Sequence, residues 1–435
     1  MRIHMDSIQS MVRVAIDYDV PVAMPDGTVL ATDVYRPAAP GRYPVILVRT
    51  PYDKLQMPPA MHIVAGFDAL ASARNGYVVA IQDVRGTFGS QGVFYAFRNE
   101  TADGPAAVAW AQAQPWSNGS VAMAGHSYMG VAQLMAATQS PPGLKAIVPA
   151  IAGAEGYELH YQGGALRLSD TLGWYASMTY ADVLRRERLG EDVAVAREAL
   201  EALLAELPAA LRQLPLSELP ARTPWLSNFA DVIAHPDRDD YWLATAVNER
   251  YGSIGVPALH VAGWNDVLLK GSLENYVGLR TGAATEDARD SQRLIVTPWA
   301  HGFAGETVGE LWFGPQANPV SADLARYVSE FLGAYLNGGP PPDAARVRIF
   351  VMGADRWREE EDWPLARAQH TRWYLSAPGR LARDSPGDEP PDTFLYDPRD
   401  PVPTLTSPDP STDGPRDRRM LQQREDVLVY TSAVL

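Results

Sequence analysis

Residues 121–130 read Val-Ala-Met-Ala-Gly125-His126-Ser127-Tyr128-Met129-Gly130, and residues 131–138 continue in a helical pattern. A serine hydroxyl becomes a useful nucleophile when a tight strand-to-helix turn thrusts it out and a base stands ready for its proton. Glycines on either side relieve the crowding of such a turn. The next backbone N–H then lies at a helix N-terminus, where it can hold an oxyanion. The generic spacing is Gly-x-Ser-x-Gly. Here Met129 takes the second glycine place and Gly130 follows one later. On its own, a Gly-x-Ser turn suits a capped helix start equally well.

Partners for Ser127 must come from elsewhere. In open α/β hydrolase sheets the order is serine, acid, histidine, each at the C-terminal end of a strand. The apolar run 258–262 ends in Gly263-Trp264-Asn265-Asp266, and the run 294–296 ends in Thr297-Pro298-Trp299-Ala300-His301. Asp266 follows Ser127 by 139 residues and His301 follows Asp266 by 35. Of the eight histidines, His301 is the one placed after the final expected strand of the sheet. A turn carboxylate and a loop histidine are the bland readings of Asp266 and His301. The order of the three favours a triad. Asp83, Asp231 and Asp240 are weaker candidates for the acid.

The elements that would position these residues are legible. Residues 12–36 alternate around Pro25-Asp26-Gly27, as antiparallel strands joined by a turn do. Apolar runs at 44–48, 77–81, 121–124, 146–149, 258–262 and 294–296 alternate with helical patterns, which predicts a buried, mostly parallel sheet. Residues 164–250 break that rhythm, with helical spacing through 193–211, and read as a helical insertion. Beyond about residue 340, short strands are expected at 347–352, 371–375, 393–396 and 427–431 between Pro- and Asp-rich loops, as in a β-sandwich. The expected division is therefore 1–155 and 251–340 as an α/β core, 156–250 as the insertion, and 341–435 as the sandwich.

Composition removes several function classes. Lys and Arg number 37 against 52 Asp and Glu, a net charge of −15 that repels phosphate backbones, so no nucleic-acid partner is expected. The absence of cysteine excludes disulfides, thiolate metal sites and a cysteine nucleophile. No His-Glu-x-x-His or phosphate-loop pattern occurs, so neither metal nor cofactor is expected. No apolar run is long enough to span a bilayer, and residues 1–20 lack the apolar core of a signal peptide. A cytoplasmic protein without a membrane partner is expected. Arg85 and Asp83, among Gly86, Gly89 and Gly92, read as a structural ion pair in a tight turn.

Taken together, the motifs resemble the cocaine-esterase-like branch of the X-prolyl dipeptidyl-peptidase family, which also holds glutaryl acylases and α-amino-acid ester hydrolases. They run from Met24-Pro-Asp-Gly-Thr28 through Val48-Arg-Thr-Pro-Tyr52-Asp-Lys54, Gln82-Asp-Val-Arg-Gly86, the Ser127 turn, Gly263-Trp-Asn-Asp266 and Pro298-Trp-Ala-His301 to Trp363-Pro-Leu365 and Tyr396-Asp-Pro398. The resemblance implies an α/β-hydrolase core, a helical cap and a C-terminal jelly roll. It also implies Ser127 as nucleophile, His301 as base and Asp266 as its orienting acid. Tyr52 would supply an oxyanion-hole hydroxyl beside the backbone N–H of Tyr128. Read without the family, Tyr52 is an aromatic at a strand end.

Three functions compete: a serine esterase, an amidase or X-Pro dipeptidyl peptidase with the same triad, and a catalytically dead binding protein. A small ester or amide is the expected partner. A dipeptidyl peptidase must anchor a free ammonium, and Glu155, Glu158 and Asp170 are the carboxylates near the insertion's start. Family members usually continue past the point where this chain stops, so an incomplete jelly roll is expected. Its unpaired edge around residues 427–435 would favour a homodimer.

Overall fold

The computed structural model describes residues 12–57, 66–301, 304–339, 344–405 and 413–434. Residues 1–11, Leu435 and the expected boundary at 340/341 lie outside these ranges. Ten strands form one mixed sheet: β1 (Val14–Ala23), β2 (Val29–Pro37), β3 (Tyr43–Thr50), β4 (Val78–Asp83), β5 (Ser117–His126), β6 (Leu144–Ala150), β7 (Leu259–Asn265), β8 (Arg293–Ala300), β9 (Val347–Val351) and β10 (Arg356–Glu360). Their order is β1-β2-β4-β3-β5-β6-β7-β8-β9-β10. Pairing is parallel from β4 across to β9 and antiparallel at both margins.

Both faces of the central strands are covered. Along β3, Val45 and Leu47 pack into one apolar cluster while Ile46 and Val48 pack into another, the period-two alternation of a strand. The first cluster holds helices α1 (Glu100–Ala113) and α2 (Tyr128–Ala137), and the second holds α5 (Leu324–Asn337). This double cover is why the parallel strands read as unbroken apolar runs.

Between β6 and β7 lies the expected helical insertion, whose longest helix is α3 (Leu168–Arg188). The helical stretch at 193–211 is divided into Ala194–Ala205 and Leu207–Ala210. Pro208 explains the break: it has no N–H for the preceding turn, and it stands in the first turn of the second segment. After β7, helix α4 (Leu269–Gly282) returns the chain to β8. No helix among the described residues is long and apolar enough to cross a membrane.

Residues 347–352 do not open a separate sandwich, because β9 pairs in parallel with β8 and extends the main sheet. Val347, Ile349 and Phe350 are buried there, and that burial outweighs the change of texture seen in the sequence. Residues 393–396 carry no regular structure, and Phe394, Leu395 and Tyr396 are exposed. Of residues 427–431, Thr431 alone makes a bridge, to Arg380 in the Arg380–Ala382 strand. Among the described residues, Phe394, Leu395 and Tyr396 find no apolar surface to pack against.

Candidate active site

β5 ends at His126 and α2 begins at Tyr128, so Ser127 makes the whole turn. It takes φ +55° and ψ −125°, a strained conformation for a residue with a Cβ that persists only when its surroundings enforce it. Those surroundings are visible. The Ser127 N–H donates to the Ala150 carbonyl at 3.0 Å, and the Ser127 carbonyl accepts from the N–H groups of Gly130 and Val131 at 2.9 and 3.1 Å. A Cβ on Gly125 would lie 2.6 Å from the Met129 Cβ, and one on Gly130 would lie 2.8 Å from the Ala152 Cβ. The shifted second glycine thus has a packing reason. Met129 is buried in the core, and position 130 is where α2 crosses the end of β6.

The residues read as acid and base come to the same place. His301, directly after β8, puts Nε2 2.8 Å from the Ser127 Oγ, and its Nδ1 is 2.9 Å from Asp266 Oδ2. Asp266 lies just past β7 with its side chain buried, and its Oδ1 accepts from the Leu268 N–H at 2.5 Å. An ionised carboxylate can only accept, so it fixes the proton on Nδ1 and leaves Nε2 free to receive the serine proton. Burial pulls the His301 pKa down. The charge and hydrogen bond of Asp266, aided by Asp170, outweigh that and hold it above the usual imidazole value.

Tyr52 follows the end of β3; its phenol oxygen accepts from the Trp174 indole at 3.2 Å, and it lines the same cavity as Ser127. Burial pushes its pKa up, so it stays a neutral donor. The Tyr128 N–H belongs to the first turn of α2, where no intrahelical acceptor exists. The Tyr128 ring is anchored behind: its hydroxyl donates to Glu100 Oε1 at 3.0 Å and accepts from the Phe97 N–H at 3.1 Å. In front of Ser127 opens a cavity of about 110 Å³ walled by apolar groups including Phe97, Val131, Leu159, Trp174 and Leu268. Such a space accepts the apolar part of a small molecule while the polar groups gather at one end.

Residues 26–303 match the X-Pro dipeptidyl-peptidase (S15) family, and residues 342–435 match the X-Pro dipeptidyl-peptidase C-terminal non-catalytic domain. The chain belongs to the S15 family. It is 36% identical to a cocaine esterase of Rhodococcus sp. strain MB1 Bresler over 96% of this chain and 74% of that one. Two solved structures share its fold with TM-scores of 0.76: an aminopeptidase from a marine sediment thaumarchaeon, 24% identical over 97% of this chain and 72% of that one, and an α-amino acid ester hydrolase, 21% identical over 98% and 74%. The S15 chain is a serine hydrolase, and its large mixed sheet is of the α/β-hydrolase type.

Other sequence candidates fall elsewhere in the S15 chain. Arg85 does not pair with Asp83. It grips Asp103 of α1 through two bonds, at 2.9 and 2.7 Å, and reaches Asp26 at 2.6 Å. Asp83 instead accepts the N–H groups of Lys54 and Gly89, which pins the loop after Tyr52; burial raises its pKa to about 7. The three carboxylates considered for an ammonium are already engaged: Glu155 with Arg238 and Glu158 with Lys270, both at 2.6 Å, and Asp170 with Arg167 at 2.5 Å. Two features were not read from sequence, the Trp174 contact to Tyr52 and the buried Arg49–Glu100 pair behind Tyr128. A lone charge in an otherwise largely apolar strand marks Arg49 as a buried cation, but nothing in the sequence names Glu100 as its partner.

Proposed function

We propose that this chain is an esterase that works through an acyl-enzyme on Ser127. His301 Nε2 takes the hydroxyl proton as Ser127 Oγ attacks the ester carbonyl, and Asp266 steadies the imidazolium that results. The tetrahedral oxyanion receives one hydrogen bond from the Tyr52 phenol and one from the Tyr128 N–H. Collapse expels the alcohol, protonated by His301, and water repeats the sequence to release the acid. The observation that carries this reading is the chain Asp266–His301–Ser127, with both His301 contacts below 3 Å and Tyr52 lining the same cavity. The prior engagement of Glu155, Glu158 and Asp170 favours an ester over a dipeptide bearing a free ammonium.

The finer architecture belongs to the same proposal. Residues 156–250 act as a helical cap, since α3 alone lends the cavity Asp170, Thr171 and Trp174. The residues after Glu360 belong to a jelly-roll-type sandwich, of which the described part supplies the short hairpin of Tyr374–Ser376 and Arg380–Ala382.

A panel of p-nitrophenyl esters run beside Gly-Pro-p-nitroanilide tests the reading. Ester turnover should dominate, and Ser127→Ala should abolish both turnover and fluorophosphonate labelling with little change in melting temperature. Labelling that survives in Ser127→Ala would mean that a different nucleophile operates.

A further inference from the structure

Trp174 joins two parts of the molecule that the reaction needs together. It sits on α3 of the insertion, while Tyr52 follows β3 of the sheet. Its ring stacks on Phe97 at 6.2 Å and 10°, and on Tyr128 at 6.4 Å and 26°, so its plane is fixed from one side. Its Nε1 lies 3.2 Å from the Tyr52 hydroxyl oxygen.

The chemistry of the two groups decides the direction of that bond. An indole N–H can only donate, so the phenol oxygen must accept. A phenol has one proton, and with an N–H arriving from Trp174 that proton is turned away from the indole, toward the space that Tyr52 and Ser127 both line. Without the indole, the hydroxyl could rotate and turn its proton away from Ser127. Accepting one hydrogen bond also polarises the O–H and strengthens the one it gives.

We infer that Trp174 is a positioning residue of the oxyanion hole: its indole N–H holds the Tyr52 hydroxyl as a donor toward the reacting carbonyl. This rests on the reading of Tyr52 as an oxyanion donor. It also makes the hole a joint product of sheet and insertion, complete only while α3 is packed against the Ser127 turn. A donor oriented before the reaction costs no reorganisation as charge develops, which is where catalytic hydrogen bonds gain their value.

A double-mutant cycle on kcat and KM tests it, using p-nitrophenyl ester turnover by the full chain. Tyr52→Phe should lower kcat about 10²–10³-fold. Trp174→Phe keeps a stacking ring but loses the N–H, and should lower kcat about 5- to 10-fold, the scale of one net hydrogen bond. In the Tyr52→Phe background the same change should leave kcat within about twofold, because the hydroxyl it served is gone. Trp174 also walls the cavity, so a KM rise from lost contact should appear equally in both backgrounds. An equal kcat loss in both backgrounds, or none in either, overturns the inference while leaving Tyr52 in place. A Tyr52→Phe enzyme that keeps more than about a third of kcat overturns the Tyr52 reading itself. Should Trp174→Phe fold poorly, 3-benzothienylalanine at position 174 preserves the bicyclic shape without the donor, and the same outcomes apply.

Discussion

His301 is pulled in opposite directions, and the balance sets how the enzyme responds to pH. Burial favours the neutral ring; Asp266 at 2.9 Å and, more distantly, Asp170 favour the cation, with Arg167 opposing them. The cation wins, so the pKa lies above the ordinary value of about 6.5. Only the neutral ring can take the serine proton. The rate constant kcat/KM should therefore rise with pH through an inflection above that value. Asp266→Asn removes the main group that favours the cation and leaves burial in charge. Its residual activity should fall by about 10⁴ and inflect at lower pH than the wild type. An inflection that stays in place in Asp266→Asn would show that another group carries it. Residues of this kind are legible from sequence because a serine between glycines, and an acid and a histidine at strand ends, are unusual enough to be noticed. Tyr52 was legible only through family resemblance. Trp174 was not legible at all: a tryptophan on a helix reads as core packing, and its partner stands 122 residues away.

At the scale of elements, the Ser127 turn is held from behind by polar groups threaded through the sheet. Thr32 on β2 accepts from Gln82 on β4, and Gln82 Oε1 accepts from Arg49 on β3, each at 3.0 Å. Arg49 then meets Glu100 of α1 at 2.5 Å, and Glu100 accepts from Tyr128 at 3.0 Å at the start of α2. Arg49 and Glu100 are almost wholly buried, so neither charge has water to fall back on. Removing one partner of such a pair costs about 3–5 kcal/mol, because it strands the other. Arg49→Met should accordingly lower the urea midpoint strongly at an unchanged slope. Adding Glu100→Gln should recover part of the loss, since a neutral amide is far cheaper to bury than an orphaned carboxylate. A double variant no more stable than Arg49→Met would place the cost in packing, not in charge. The apolar strands were readable because burial on both faces forces continuous runs. The pair that braces them was not, because its members come from β3 and α1 and their meeting depends on how those elements cross.

Across the whole molecule, the sheet and the chain's order along it part company near the C-terminus. The main sheet runs from Val14 to Glu360, and every residue walling the cavity in front of Ser127 lies at or before His301. Beyond Glu360 the described chain has little regular structure, and it leaves apolar side chains such as Leu395 (84% exposed) in solvent. A change of texture near residue 340 could not reveal that one more parallel strand belongs to the sheet. A strand's membership is settled by the neighbour it finds, here β8, and not by its own composition. Two arginines of this outer stretch are held only by near neighbours: Arg399 pairs with Asp397 and Arg419 with Asp417, their side chains 83% and 84% exposed. Backbone with so few long-range bonds opens to a protease at small free-energy cost, whereas the sheet must unfold globally to be cut. Limited trypsin digestion should therefore cut first after Arg399 or Arg419, and the nicked protein should retain the ten-stranded sheet. Because nothing described past Glu360 walls the cavity, its kcat on a p-nitrophenyl ester should match that of the intact chain. Mass spectrometry of the first fragments and a parallel activity time course decide the matter. Activity that decays in step with the first cut would tie the outer segment to the site, and first cuts within α3 would mean that the insertion is the weaker part.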